Sequence, residues 1–200
     1  MKKTMPTRPD SYHLWTIQTP EVLERVRTEG ILYAEPERSE FIAEFPEPFE
    51  WVREEMDRRV PGHGGHFPWW AWYCPQPDLR RFSRAHPAGE DLVKIELLVP
   101  KSEVLLSAFS AWEMAMGCGY VCLNYPELDA WDQEMERHGI NDCNRLPPEP
   151  WQATVISTWE RIFDIPALEA GGAWSTDWIQ ATFEALRSED IVKVTPFRTR

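Results

Sequence analysis

The chain has 200 residues, 33 acidic and 21 basic, for a formal net charge of −12. Its hydrophobic fraction of 42% and charged fraction of 27% are those of a folded globular chain, which excludes disordered, collagen-like and coiled-coil architectures. So acidic a balance argues against general nucleic-acid binding, which rests on Lys and Arg displacing counterions, and against an anionic membrane surface.

Residues 1–11 read as a flexible lead and 12–200 as a single α+β domain. The opening MKKTMPTRPDSYH has basic residues but no apolar stretch behind them, so it does not read as a secretory signal. No run approaches the roughly 18 apolar residues of a membrane span. Tyr12–Ile17 is aromatic and β-branched and reads as a strand. Thr19-Pro20-Glu21 is a helix start, with a capping hydroxyl, a proline in the first turn and an acid at the positive end of the dipole. Val22, Leu23 and Val26 share a face, and Gly30 ends that helix. Ile31–Tyr33 follows as a short apolar element.

Phe41, Ile42 and Phe45 predict one short helix, and Phe49, Val52 and Met56 a second that starts near Pro46 to Pro48. Val60-Pro-Gly-His-Gly-Gly-His66 reads as a loop. Then comes Phe67-Pro-Trp-Trp-Ala-Trp-Tyr73, the most unusual string in the chain. Residues 75–87 read as a second loop, carrying Arg80, Arg81 and Arg84. Leu92–Val99 is a strand, and Val104–Leu106 pairs nearby. Phe109–Met116 fits a helix. Residues 117–150 read as irregular, with a short helix around 128–137, and Trp151–Phe163 as one helix. Gly171 and Gly172 break the chain. The segment from Gln180 to Leu186 fits either helix or strand, and Ile191–Val194 closes the chain as a strand. No glycine-rich phosphate loop follows a strand, and the elements lack βαβ spacing. The expected class is therefore α+β, with a mixed or mostly antiparallel sheet and flanking helices.

Eleven Trp and 18 Pro stand out. Most of the Trp residues read as core, each with an N–H that needs a partner. In the string Trp69-Trp70-Ala71-Trp72-Tyr73, one strand face would enter the core. The other could stack a flat ligand such as a nucleobase or nicotinamide. The three arginines would suit a phosphate, though a solvated loop is the plainer reading. His63, His66, Cys74, Cys118 and Cys122 are metal ligands by type, but their spacing lacks the paired pattern of zinc sites, so no metal is expected. The plain reading is a solvated loop plus small buried thiols. Cys143 completes the cysteine count. With no paired knuckles and a chain too large to need disulfides, the expected location is a reducing cytoplasm.

Several strings together resemble an uncharacterised bacterial family known only as a domain of unknown function. They are Leu14-Trp-Thr-Ile-Gln18, Gly30-Ile-Leu-Tyr33, Pro68–Tyr73, Glu103–Phe109, Ser157–Asp164 and Ile179–Arg187. The resemblance covers nearly the whole chain and brings no activity with it. More weakly, the order strand, capped helix, Gly, short apolar element resembles the opening of ADP-ribosyltransferase-like domains. The ending Gln180-Ala-Thr-Phe-Glu184 before Ile191–Val194 is similar to their closing element.

That second resemblance implies a split sheet gripping NAD as a substrate. Gln180 and Glu184 would orient the ribose and stabilise the departing charge. Trp15, Thr16 and Gln18 would line the opening strand, and Trp69, Trp72 or Tyr73 would stack on a ring. Two positions depart from the pattern: the family's His maps to Thr16 and its Glu to Thr182. Glu184 serves only in a shifted register, sharing a strand face with Gln180 and Thr182 or a helix face with Gln180. The alternative is a non-enzymatic, acidic, immunity-type protein that covers a basic partner, with the surface between Glu35 and Glu55 as its contact. Single-strand stacking is a third reading, disfavoured by charge unless the three arginines form a local track.

Overall fold

The computed structural model describes residues 9–73, 87–140 and 145–199. The expected lead over residues 1–8, the arginine patch Arg80, Arg81 and Arg84, and Cys74 and Cys143 lie outside the described residues. Two compact units divide the chain. The first comprises residues 1–35, 53–105 and 180–200, and the second 36–52 and 106–179.

In the first unit β1 (Ser11–Gln18) starts one residue earlier than the expected lead allows. It leads into α1 (Pro20–Glu29), where the Thr19 side chain accepts the Val22 N–H and the Gly30 N–H closes on the Val26 carbonyl. Leu23 and Val26 turn inward, and β2 (Ile31–Tyr33) follows. The unit continues through the end of α3 (Pro46–Arg59), β3 (Trp69–Tyr73), β4 (Asp91–Pro100), the first two residues of β5 (Val104–Ala108), β6 (Ile179–Phe183) from Gln180 on, β7 (Ala185–Arg187) and β8 (Ile191–Arg198). Six strands form one sheet in the order β5-β6-β3-β1-β4-β8, and β2 pairs with β7 in a second, small sheet.

The pairs β1–β3, β1–β4, β4–β8 and β2–β7 are antiparallel. β4 lies between β1 and β8 and is apolar along most of its length. Leu92, Val93, Ile95, Leu97, Leu98 and Val99 are all buried, with Leu14 and Trp15 of β1 beside them. Each such aliphatic side chain contributes about 2 kcal/mol of burial. The segment Gln180–Phe183 is strand, which settles the alternative left open by the sequence. A β-branched Thr and a Phe flanked by apolar residues suit a sheet buried on both faces.

The second unit is helical. It contains α2 (Glu40–Glu44), the start of α3, α4 (Phe109–Met116), α5 (Tyr125–Arg137), α6 (Trp151–Trp159) and α7 (Ile165–Gly171). Two expectations need correction. The helix from Trp151 tightens into a 3-10 turn over Glu160–Phe163. Residues 165–171 form a helix that the sequence reading missed, capped by the Asp164 carboxylate with Pro166 in its first turn.

The tryptophans behave as core anchors here. Trp51 meets Trp159 edge-on, and Phe49 meets Trp112 likewise. The Trp159 indole donates to the Gly119 carbonyl and the Trp174 indole to that of Cys122, so each N–H has a backbone partner. Cys118 and Cys122 are free and buried, and burial pushes both thiols up, which leaves them as packing groups.

Candidate functional site

The loop 60–66 carries the densest chemistry of the first unit. His63 is not a solvated loop residue. Its side chain is wholly buried, and its Nδ1 lies 2.5 Å from Asp57 Oδ1 at the end of α3. Arg53, one turn earlier, reaches the other Asp57 oxygen at 3.1 Å. The hydrogen bond from His63, with the charges of His63 and Arg53, holds the Asp57 carboxyl below the usual range against an opposing desolvation. The His63 Nε2 atom is buried and has no hydrogen-bond partner among the described residues.

His66 makes the second pair. Its Nδ1 lies 2.7 Å from Glu184 Oε1, and the Gly64 N–H donates to the same oxygen at 2.6 Å. Tyr33 of β2 stacks on the His66 ring, centroids 3.8 Å apart and planes 19° apart. Gly64 allows this approach: a Cβ there would lie 2.8 Å from Glu184 Oε1 and 3.3 Å from His66 Nδ1. Partial burial alone would raise the Glu184 carboxyl. The bonds from His66 and Gly64, with the nearby histidine charge, outweigh it and set the group below the ordinary glutamate range. The carboxylate is therefore ionised at neutral pH. Both of its hydrogen bonds among the described residues end on Oε1.

The strands converge on this point. Trp15 lies opposite Trp72, so the last residues of β1 run beside the first residues of β3. The Thr16 hydroxyl donates to the Trp70 carbonyl, and Gln18 Nε2 donates to the Thr16 oxygen at 2.8 Å. The Trp69 indole donates to the Leu32 carbonyl, bringing β2 and Tyr33 to the same end of the sheet. Thr16, Gln18, Trp69, His66, Tyr33 and Glu184 thus gather at one end.

The other sequence candidates lie elsewhere. Glu184 does not continue the strand face of Gln180 and Thr182; it follows β6 at a bend. Thr182 is buried and donates to the Leu105 carbonyl. Gln180, four residues before Glu184, is the second residue of β6. It is buried, and its amide nitrogen has no hydrogen-bond partner among the described residues. Trp15 is buried and stacks on His13. Trp72 and Tyr73 belong to the far end of β3, where Tyr73 meets Tyr12 edge-on.

Tyr33 and Asp57 were not singled out by the sequence, and His63 and His66 were weighed there only as metal ligands and set aside. The H-G-G-H spacing carried a signal of close backbone approach, but the carboxylate that His66 meets is 118 residues away. Among the described residues no group of three or more His, Cys, Asp or Glu is arranged to hold a metal ion, and no helix is long and apolar enough to cross a membrane.

By fold and site this is an α+β protein with a mostly antiparallel six-stranded sheet and a carboxylate–imidazole cluster at one sheet end. Residues 13–192 match the family described as Domain of unknown function (DUF3841), and the chain belongs to that family. No curated protein and no solved structure matches it.

Proposed function

We propose that the first unit binds NAD and transfers its ADP-ribosyl group. Glu184 is the carboxylate that holds the nicotinamide ribose and faces the positive charge developing at its anomeric carbon. The observation that carries this reading is the division of labour at Glu184. Oε1 takes both bonds from the loop, and Oε2 accepts no hydrogen bond among the described residues, which would leave it to a ligand. An ionised carboxylate anchored through one oxygen presents the other with little reorganisation, as charge stabilisation in a transition state requires. Thr16, Gln18 and Trp69 line the same end. Gln180, whose buried amide nitrogen has no hydrogen-bond partner among the described residues, would offer a donor to the distal half of an extended dinucleotide.

The test is a titration of NAD and ADP-ribose read by tryptophan fluorescence and thermal shift, with nicotinamide release measured alongside. A saturable response in the native chain, with release lost in Glu184→Gln and binding weakened in Gln180→Ala, supports the reading. No response at millimolar ligand rejects it.

A second reading, an acidic protein that covers a basic partner, has one observation in its favour. Phe41 on α2 is 59% exposed, and Glu37, Glu40 and Glu44 around it are exposed too. An apolar anchor ringed by acids suits a basic surface. Salt-sensitive binding of a polylysine probe, weakened by Phe41→Ser and unaccompanied by any NAD response, would favour it.

A further inference from the structure

We infer that His66 is a second catalytic residue of this site, the general base that activates a hydroxyl acceptor. The inference rests on the NAD reading above and adds to it the base and the acceptor's chemical class.

Four observations carry it. First, an ionised carboxylate only accepts hydrogen bonds, so the 2.7 Å contact with Glu184 Oε1 places the neutral imidazole's proton on Nδ1. That leaves the lone pair on Nε2. Second, Tyr33 stacks on the ring and the Gly64 N–H shares the same carboxylate oxygen, so ring and carboxylate are held as one rigid pair. Third, the His66 side chain is 43% exposed, so its outer edge is open to an incoming group. Fourth, the neighbouring His63 is the contrasting case. It is paired to Asp57 in the same way but wholly buried, which suits a group that stiffens the loop. A carboxylate that orients a histidine through Nδ1 and leaves Nε2 to a substrate proton is the arrangement of general-base catalysis.

The charged and titratable groups facing His66 are Glu184 at the bend after β6 and Tyr33 of β2. The His63–Asp57–Arg53 chain braces its loop. One carboxylate therefore does two things: Oε1 orients the base and Oε2 faces the ribose.

In the transfer, the bond between the ribose anomeric carbon and the nicotinamide nitrogen breaks. Its electron pair leaves with the nitrogen, giving neutral nicotinamide. A lone pair of the acceptor oxygen forms the new bond to the anomeric carbon. The acceptor's proton goes to His66 Nε2, giving an imidazolium beside the Glu184 carboxylate. A neutral hydroxyl is the acceptor class that needs such a base, because it must lose a proton as it attacks.

The experiment measures NAD binding by tryptophan fluorescence and NAD cleavage in water and in methanol–water mixtures, across pH, for the native chain, His66→Asn and Glu184→Gln. Asparagine keeps an N–H where Nδ1 sits and removes Nε2, so the bond to Glu184 survives. The expected result is that His66→Asn binds NAD like the native chain, loses about 100-fold or more in kcat at unchanged KM, and loses the acid limb of the pH–rate profile. Cleavage within threefold of native, with the acid limb retained, overturns the role of His66 and leaves the reading of Glu184 standing. A native chain that binds NAD but transfers to neither water nor methanol overturns hydroxyl activation and, with no nicotinamide released, the transfer role of Glu184 as well, and leaves NAD binding standing. A native chain that does not bind NAD overturns both.

Discussion

Glu184 and Glu127 are two partly buried carboxylates, one in each unit, and they are satisfied in different ways. Glu127 on α5 is complete. Its Oε1 accepts from the Tyr120 hydroxyl and from Arg161, both at 2.7 Å, and its Oε2 accepts the Leu123 N–H at 2.6 Å. A guanidinium balances its charge and also donates to the Val121 carbonyl. The result is a clasp that pins the irregular stretch 117–124 to α5 and to the turn after α6. Among the described residues Glu184 has two partners, both on one oxygen: the His66 ring and the Gly64 N–H. Both carboxyls lie below the ordinary range despite burial that opposes it. A low carboxyl alone therefore does not distinguish a structural group from a poised one. What differs among the described residues is the use of the two oxygens: Glu127 accepts on both and Glu184 on one.

Substitutions at matching positions sharpen the contrast. The largest expected effect is Glu184→Gln: nicotinamide release from NAD falls by about 100- to 1,000-fold, while the melting temperature moves by only a few degrees. Gly171→Ala comes next, in the second unit. A Cβ there would lie 1.9 Å from the Leu123 carbonyl oxygen, a backbone atom that the Glu127 clasp helps to hold. We expect a loss of about 3 kcal/mol or more by urea denaturation. Glu127→Gln should cost about 2 kcal/mol of stability, because Arg161 loses its anionic partner, and should leave NAD cleavage unchanged well below its melting point. Gly64→Ala is the counterpart of Gly171→Ala. Its Cβ would meet the Glu184 carboxylate and no backbone atom, so the stability loss is smaller than at Gly171, and the displaced Glu184 loses about tenfold in cleavage rate.

The smallest effect is the pH dependence of stability. The Glu184 carboxyl is lower in the folded chain than in the unfolded one. Its contribution is therefore fully present above about pH 4.3, the unperturbed glutamate value, and fades as pH falls through the lowered folded value. The stability gap between the native chain and Glu184→Gln should narrow below about pH 4. Urea denaturation at a series of pH values reads that gap directly. A gap that widens on acidification would contradict the ionised, bonded carboxylate.

The locally determined parts of the fold were legible in the sequence. Thr19, Pro20 and Gly30 mark the ends of α1 because capping is a contact between near neighbours. The apolar run of β4 marks a doubly covered strand. α7 was not legible, because its seven residues bury only Leu168 and the adjacent glycines suggest a break. The order of strands was not legible either: β6 sits between β5 and β3, more than 70 and 100 residues away in sequence.

The candidate site divides along the same line. Glu184, Thr16, Gln18 and Trp69 were named from pattern and resemblance, and the structure brings them to one end of the sheet. The Glu184–His66 pair was not, because nothing local in H-G-G-H names a partner 118 residues on. Trp15 and Trp72 show the reverse difficulty. An aromatic string advertises a stacking surface, but alternation along β1 and β3 sends some of its members into the sheet interior or to its far end.

The most direct test of the contrast between the two carboxylates is nicotinamide release from NAD by the native chain, Glu184→Gln and Glu127→Gln in parallel, each shown to be folded at the assay temperature. Release by the native chain and by Glu127→Gln, with little or none from Glu184→Gln, is the predicted result. Equal rates from all three, or none from the native chain, would contradict it.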